Sequence, residues 1–175
     1  YTSSASGRKG EFYKLSDPFC WFWLHFKEDK VVRETDYWQH HLKDSEVASW
    51  RGVAFKEVCL RHIRQIKRSL QIGGVSSVEY PCSVKGDGNA EGMQIDLIID
   101  RQDDVLNVCE MKYTKSPFSV TKQYAQTIEK RREFLSRSYP DKSIHMTLVT
   151  TFPMQRNEHS DVFQSEVTED GLFVE

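Results

Sequence analysis

The segment from Met93 to Lys112 decides the fold of this chain, and it reads MQIDLIIDRQDDVLNVCEMK. It contains two apolar runs separated by the polar residues 101–104, which suit a reversal of the chain. If the runs pair as an antiparallel hairpin, Asp96 falls opposite Glu110 and their side chains share one face. Period-two alternation places Lys112 on that face as well. Two carboxylates and an ammonium among apolar neighbours are costly unless a cation or hydrogen bonds compensate them, so the pattern predicts a site.

An ordinary surface strand is the competing interpretation of the same pattern. A strand with one polar face carries Asp, Glu and Lys at alternate positions without any chemistry. Cross-strand ion pairs on such a face contribute little to stability. The three side chains therefore indicate a functional site only together with the rest of the chain.

The composition is that of a single globular domain with room for a small appended piece. The chain has 175 residues, of which 38% are hydrophobic and 29% are charged. Its net charge of −2 provides no global basic field. This weighs against a tight nonspecific nucleic-acid binder, although it leaves room for a local basic face.

Several classes of protein are disfavoured by missing motifs. The four cysteines form no C-x-x-C pair and the six histidines lack metal-ligand spacing, so zinc is not predicted and reduced, intracellular thiols are expected. No P-loop motif G-x-x-x-x-G-K-[ST] occurs, so no nucleotide site is expected in this chain. The most apolar stretch, residues 19–26, is too short to cross a bilayer and no signal peptide is recognised, so no membrane partner is expected. Together with the reduced thiols, this makes a cytoplasmic location the expectation.

Helical and strand-like patterns follow one another in a recognisable order. Ser16 or Asp17 can cap an aromatic helix at residues 18–26, and a polar link leads to a long helix at 45–70, which Gly73-Gly74 ends. Strands are predicted at 75–84, 93–100, 105–112 and 144–151. A further helix is predicted to open at Ser116-Pro117-Phe118-Ser119 and to run to residue 138. Weak strand character returns around Val167 and at 172–174. This order predicts an α/β sandwich around a mixed sheet that is flanked by helices.

The order and the acidic cluster resemble the PD-(D/E)XK nuclease superfamily, whose core places an Asp on the second strand and Glu-x-Lys on the third. More narrowly, the chain is similar to the nuclease-like C-terminal domain of bacterial and archaeal P-loop (AAA-type) ATPases. The matching segments span most of residues 11 to 150. They are LSDPF at 15–19, WRGVAF at 50–55, VCLRHI at 58–63, QIK at 65–67, MQIDLIIDR at 93–101, CEMKY at 109–113 and KQYA at 122–125. The resemblance implies a restriction-endonuclease-like core in a prokaryotic, intracellular protein.

The resemblance also implies a division of the chain. In such ATPases an ATP-binding module and a winged-helix segment precede the nuclease-like domain. Residues 1–44 are then an N-terminal extension, with the end of a wing at 8–15, the aromatic helix and the link. Residues 45–175 are the nuclease-like domain. The start at Tyr1 rather than Met fits a piece of a longer protein, whose ATPase module is an expected partner.

By the same resemblance, the acidic cluster is a metal-dependent catalytic site. Asp96, Glu110 and Lys112 are the expected catalytic residues. Asp96, Glu110 and the backbone carbonyl of Met111 would hold Mg²⁺ or Mn²⁺, which prefer oxygen ligands. Weaker candidates for contacts to the DNA backbone are Lys122, Gln94 and Tyr124. The competing interpretations are that Lys122 is an ordinary surface lysine and that Tyr124 belongs to the core.

One position departs from the family pattern. A Glu follows the Phe of the Gly-x-x-Phe helix motif in the family, whereas Lys56 occupies that place here and Glu57 comes one residue later. A shift of one residue turns a helical side chain by about 100°. This rotation counts against Glu57 as the further candidate metal ligand, and a solvated helix residue is the equal alternative.

Three functions remain open at this point. The first is Mg²⁺-dependent phosphodiester hydrolysis by a DNA endonuclease-like domain at the C-terminus of an ATPase, which the intact Asp96, Glu110 and Lys112 favour. The second is a catalytically inactive nuclease fold that serves the ATPase as a DNA-binding or regulatory domain, which the slightly acidic chain and the displaced Glu57 favour. The third is a protein-interaction domain that docks through the aromatic helix.

Overall fold

The computed structural model describes residues 15, 17–26, 36–84 and 92–174 of the chain. The chain divides into two compact units, Tyr1–Val47 and Ala48–Glu175. The predicted end of a wing at 8–15 lies almost wholly outside the described residues, and so does much of the link after the aromatic helix.

Among the described residues of the first unit, two short helices precede Ser45, α1 at Pro18–Phe26 and α2 at Tyr37–His41. Asp17 caps α1, because its Oδ1 accepts a hydrogen bond from the backbone N–H of Cys20 at 2.6 Å. The predicted aromatic helix is thus present. Phe19 and Trp23 on it are exposed and stack with ring centroids 6.3 Å apart.

The long helix predicted at 45–70 is two helices, α3 at Ser45–Arg61 and α4 at Ile63–Ser69. The break lies at His62, whose φ of −110° and ψ of 28° leave the helical region and whose ring nitrogen bonds to the carbonyl of Val58 at 2.7 Å. Gly73-Gly74 does not end α4. Instead Gln71 adopts a φ of 58°, and the next amide bonds back to the Lys67 carbonyl, so a Schellman turn ends the helix without glycine.

A mixed five-stranded sheet forms the centre of the second unit. Its strands are β1 at Ser77–Val84, β2 at Met93–Arg101, β3 at Val105–Lys112, β5 at Ser143–Thr150 and β7 at Ser165–Thr168, in the order β1-β2-β3-β5-β7. The first three strands pair antiparallel, and β3–β5 and β5–β7 pair parallel. A small parallel pair is formed by β4 at Phe118–Ser119 and β6 at Met154–Gln155. The remaining α-helices of the described residues are α5 at Lys122–Ser138 and α6 at Glu169–Leu172, and a short 3-10 helix lies at Ser160–Val162. The predicted α/β fold with a mixed sheet flanked by helices is therefore confirmed.

The helix predicted to open at Ser116-Pro117-Phe118-Ser119 begins later than expected. Phe118 and Ser119 form β4, and α5 begins after Thr121, whose hydroxyl accepts a hydrogen bond from the N–H of Tyr124 at 3.2 Å. Pairing with β6 decides the conformation of 118–119, because this partner lies far away along the chain.

Two separate hydrophobic clusters show how the helices cover the sheet. Val108 belongs to a cluster with Ile128 and Leu135 of α5, whereas the adjacent Cys109 packs with Cys59 of α3. Successive side chains of a strand point to opposite faces. Hence α5 covers one face of the sheet, and α3 and α4 cover the other. None of the helices within the described ranges has the length and apolar character needed to span a bilayer.

A bulge interrupts β2 at Asp96, the first carboxylate of the acidic cluster. Between the pairs Tyr80–Ile98 and Cys82–Ile95, β2 contains one residue more than β1. Ile95 and Ile98 pack into the same cluster, although residues three apart in a regular strand face opposite ways. Asp96 lies inside this bulge. Its direction therefore cannot be read from period-two alternation.

Candidate functional site

A polar cleft of about 300 Å³ lies where β2 begins and β3 ends, and Asp96 and Glu110 line it. The structure brings together here six of the residues singled out from the sequence. They are Gln94, Asp96, Glu110, Met111, Lys112 and Tyr124. The convergence arises from the hairpin, whose paired residues run from Asp100–Leu106 to Leu97–Cys109, so that Asp96 and Glu110 come next on their strands.

The two carboxylates line one cleft, but their partners lie on opposite faces of the sheet. The Oδ1 oxygen of Asp96 accepts a hydrogen bond from the ammonium of Lys56 on α3 at 2.6 Å. Its Oδ2 accepts one from the backbone N–H of Met111 at 3.0 Å. Asp96 and Glu110 therefore line the same cleft but do not share one face of the sheet as expected, because the bulge turns Asp96 toward α3.

Glu110 is anchored from the other side, by α5. Arg131 donates from Nη1 to Oε1, and the hydroxyl of Tyr124 donates to Oε2 at 3.2 Å. The Glu110 side chain is 5% exposed. Burial raises the pKa of Glu110 above its ordinary value, and the negative charge of Asp96 adds to this, while the cation of Arg131 offsets only part of the effect.

Lys112 differs from the other cations of the cleft. Its ammonium lies 4.5 Å from the ring centroid of Tyr124, a cation–π contact. Within the described part of the chain it forms no ion pair. Burial and the neighbouring Glu110 raise the pKa of the Tyr124 phenol, so Tyr124 stays a neutral hydrogen-bond donor. Lys112 therefore offers a positive charge to a ligand entering the cleft.

Two residues of the site were missed by sequence reasoning. Lys56 was noted as a departure from the family pattern without a role, and Arg131 was not singled out. Arg131 follows Tyr124 by seven residues, which is two helical turns, so both lie on one face of α5. This spacing was a usable signal for Arg131. For Lys56 the local spacing gave no signal, because its partner lies 40 residues away in the chain.

Two candidate residues are not brought to the cleft. Glu57 pairs instead with Arg61 one turn along α3, where Arg61 Nε lies 3.4 Å from Glu57 Oε1. A helical side chain one place beyond Lys56 points elsewhere. Lys122 is exposed and lies beside a separate groove on the outer face of α5, together with Glu129 and His159.

The donor set as arranged does not fit Mg²⁺ or Mn²⁺. Each of the four oxygens of Asp96 and Glu110 already accepts a hydrogen bond. Three cationic side chains line the cleft beside two carboxylates, an excess of one positive charge. A divalent cation binds where carboxylate oxygens are free to face it. Here it would also lie beside the ammonium of Lys56 and the guanidinium of Arg131, which hold these oxygens and repel a cation.

Comparison with known proteins yields a distant structural similarity. No family model matches the chain, and no curated protein matches it. One similar solved structure is described as "Crystal Structure of Protein of Unknown Function AF1548", with 14% identity and a TM-score of 0.43. The alignment covers 63% of this chain and 56% of that one, so the chain spans little more than half of that protein.

Proposed function

We propose that Ala48–Glu175 is a nuclease-like domain of the PD-(D/E)XK type that binds the phosphate backbone of DNA without cleaving it. The observation that carries the proposal is the charge of the cleft, where Lys56, Lys112 and Arg131 outnumber Asp96 and Glu110. The association with a P-loop ATPase module of the same full-length protein, and the cytoplasmic location, belong to the proposal through the sequence resemblance alone.

The state of the two carboxylates supports binding over hydrolysis. Their four oxygens accept hydrogen bonds from protein donors, so their charge is compensated inside the protein. A phosphate that enters the cleft therefore meets one more positive than negative charge, and the carboxylates that it passes are already hydrogen-bonded to protein donors. Lys112 supplies a charge that no ion pair within the described residues engages, and the exposed amide of Gln94 in the same cleft can donate to a phosphate oxygen.

Mg²⁺-dependent DNA hydrolysis is the second candidate. Asp96, Glu110 and Lys112 line one cleft, which is the arrangement expected of a nuclease site. Hydrolysis needs carboxylate oxygens that are free to act on water or a metal. Since these oxygens are engaged by Lys56, Arg131 and other donors, the geometry favours it less than binding.

The experiment is a titration of a labelled DNA duplex with the 175-residue chain in EDTA, followed by fluorescence anisotropy over a range of salt concentrations. We expect Lys112→Gln to weaken binding and to reduce the salt slope by about 0.9, the value of one phosphate contact. Lys130→Gln is the matched control, because Lys130 is an exposed lysine of α5 beside the other groove. Equal affinities of the wild type and Lys112→Gln would contradict the proposal. Mg²⁺-dependent cleavage of the duplex that Asp96→Asn abolishes would establish hydrolysis instead.

A further inference from the structure

The position of Lys56 carries an inference that deepens the proposed function and rests on it. We infer that the Lys56 ammonium is the resident counter-ion of Asp96, in place of the divalent metal that the sequence led us to expect there, so that the domain engages phosphate in the cleft without a divalent metal. Its Nζ lies 2.6 Å from Oδ1 of Asp96, whose side chain is 8% exposed. The side chain of Lys56 is 42% exposed, so it reaches Asp96 from the rim of the cleft.

A buried carboxylate needs a compensating charge, and Lys56 provides it from within the chain. An ammonium has three donors, of which one is used on Asp96. The others are free to meet a phosphate oxygen in the cleft that Lys56 lines. One side chain thus holds the carboxylate and adds to the anion-binding charge.

The surrounding groups reinforce the exclusion of a metal. A divalent cation on Oδ1 of Asp96 would lie beside the ammonium of Lys56, and like charges at this range repel strongly. Lys112 and Arg131 line the same cleft and add to the repulsion. A carboxylate at position 56 would reverse the balance, because three carboxylates would then face two cations. The identity of residue 56 therefore decides whether the cleft selects an anion or a divalent cation.

The test measures Mn²⁺ binding by calorimetry and electron paramagnetic resonance in the wild-type chain, Lys56→Glu and Lys56→Gln, with Lys130→Glu as the charge-matched control. We expect Lys56→Glu to bind Mn²⁺ at least about tenfold more tightly than the wild type, since affinity follows the number of ligand charges. Lys56→Gln removes the ammonium alone and should give a smaller gain. Lys130→Glu should match the wild type. Circular dichroism confirms that each variant is folded, and Lys56→Gln decides the question if Lys56→Glu is not.

Two results would overturn the inference. One is wild-type Mn²⁺ binding as tight as that of Lys56→Glu and lost in Asp96→Asn. The other is the absence of any gain in Mn²⁺ affinity in both Lys56 variants. The proposed function fails separately, if the wild type does not bind DNA in EDTA. Measuring DNA binding and Mn²⁺ binding on the same samples therefore distinguishes the two failures.

Discussion

The Oδ2 oxygen of Asp96 accepts a hydrogen bond from the backbone N–H of Met111 at 3.0 Å. A side chain in the bulge of β2 thereby fastens the neighbouring strand β3 just beyond the last paired residues. The other oxygen of this carboxylate, Oδ1, accepts a hydrogen bond from the ammonium of Lys56. Asp96 is therefore a structural tie of the cleft as well as part of its charge.

We expect Asp96→Ala to lower the free energy of unfolding by about 1–3 kcal/mol, because a largely buried N–H loses its acceptor. Urea denaturation measures the change. Glu158→Ala is the control, since its carboxylate side chain is 86% exposed and its pair with His159 is weak. Similar midpoints for the two variants would show that Asp96 does not fasten the strands.

Two arginines of α5 form a natural comparison. Arg131 pairs with the buried Glu110, whereas Arg137 pairs with Glu133 on the surface, where its side chain is 81% exposed. Arg131→Met should cost about 3–5 kcal/mol, because it leaves an uncompensated buried carboxylate. Arg137→Met should cost about 0–1 kcal/mol. Chemical denaturation of both variants checks this.

A double variant separates the charge effect from packing. Glu110→Gln together with Arg131→Met should be less destabilised than the sum of the two single variants, because neither charge is then left alone. Strict additivity would mean that Glu110 and Arg131 do not depend on each other.

The titration of Glu110 should be visible in the stability of the protein. Burial raises its pKa above the ordinary value of 4.5, despite Arg131, so the native state binds this proton more tightly than the unfolded chain. The contribution of Glu110 to the free energy of unfolding is therefore fully present below pH 4.5 and falls as the pH rises through the folded pKa. The stability of the wild type relative to Glu110→Gln should decline over this window.

Stability measured by urea denaturation at a series of pH values checks that decline. Glu133→Gln is the reference variant, because the Glu133 side chain is 66% exposed and pairs with Arg137 on the surface. A wild-type advantage over Glu110→Gln that grows with pH would reverse the sign and show that Arg131 outweighs burial.

The thiols should differ sharply in reactivity. Burial raises the pKa of Cys59 to about 12 and also raises that of the fully buried Cys109. Cys20 is exposed. With a thiol reagent at mildly alkaline pH, Cys20 should react in the native protein, and Cys59 and Cys109 only on unfolding. The variant Cys20→Ser removes the exposed thiol and leaves the half-buried Cys82 and the buried Cys59 and Cys109. Fast labelling of more than one thiol in the native form of this variant would contradict the packing of α3 against β3.

Local features of the chain were predictable from the sequence. The hairpin register follows from two apolar runs and a short polar turn, and the observed turn indeed contains Asp104 at a φ of 60°. The break at His62 and the late start of α5 were not predictable in this way. Both depend on bonds made after packing, and the conformation of Phe118 requires its partner Met154 on a distant segment.

The sequence by itself determined the α/β order and which residues the hairpin would bring to one end of the sheet, because turns and alternation act over a few residues. Only the tertiary structure decided what those residues hold. The bulge at Asp96 turns its carboxylate toward Lys56 on α3, and the packing of α5 on the opposite face delivers Arg131 to Glu110. These partners lie 40 and 21 residues away, and contacts of that range are fixed by how helices pack on a sheet rather than by local pattern.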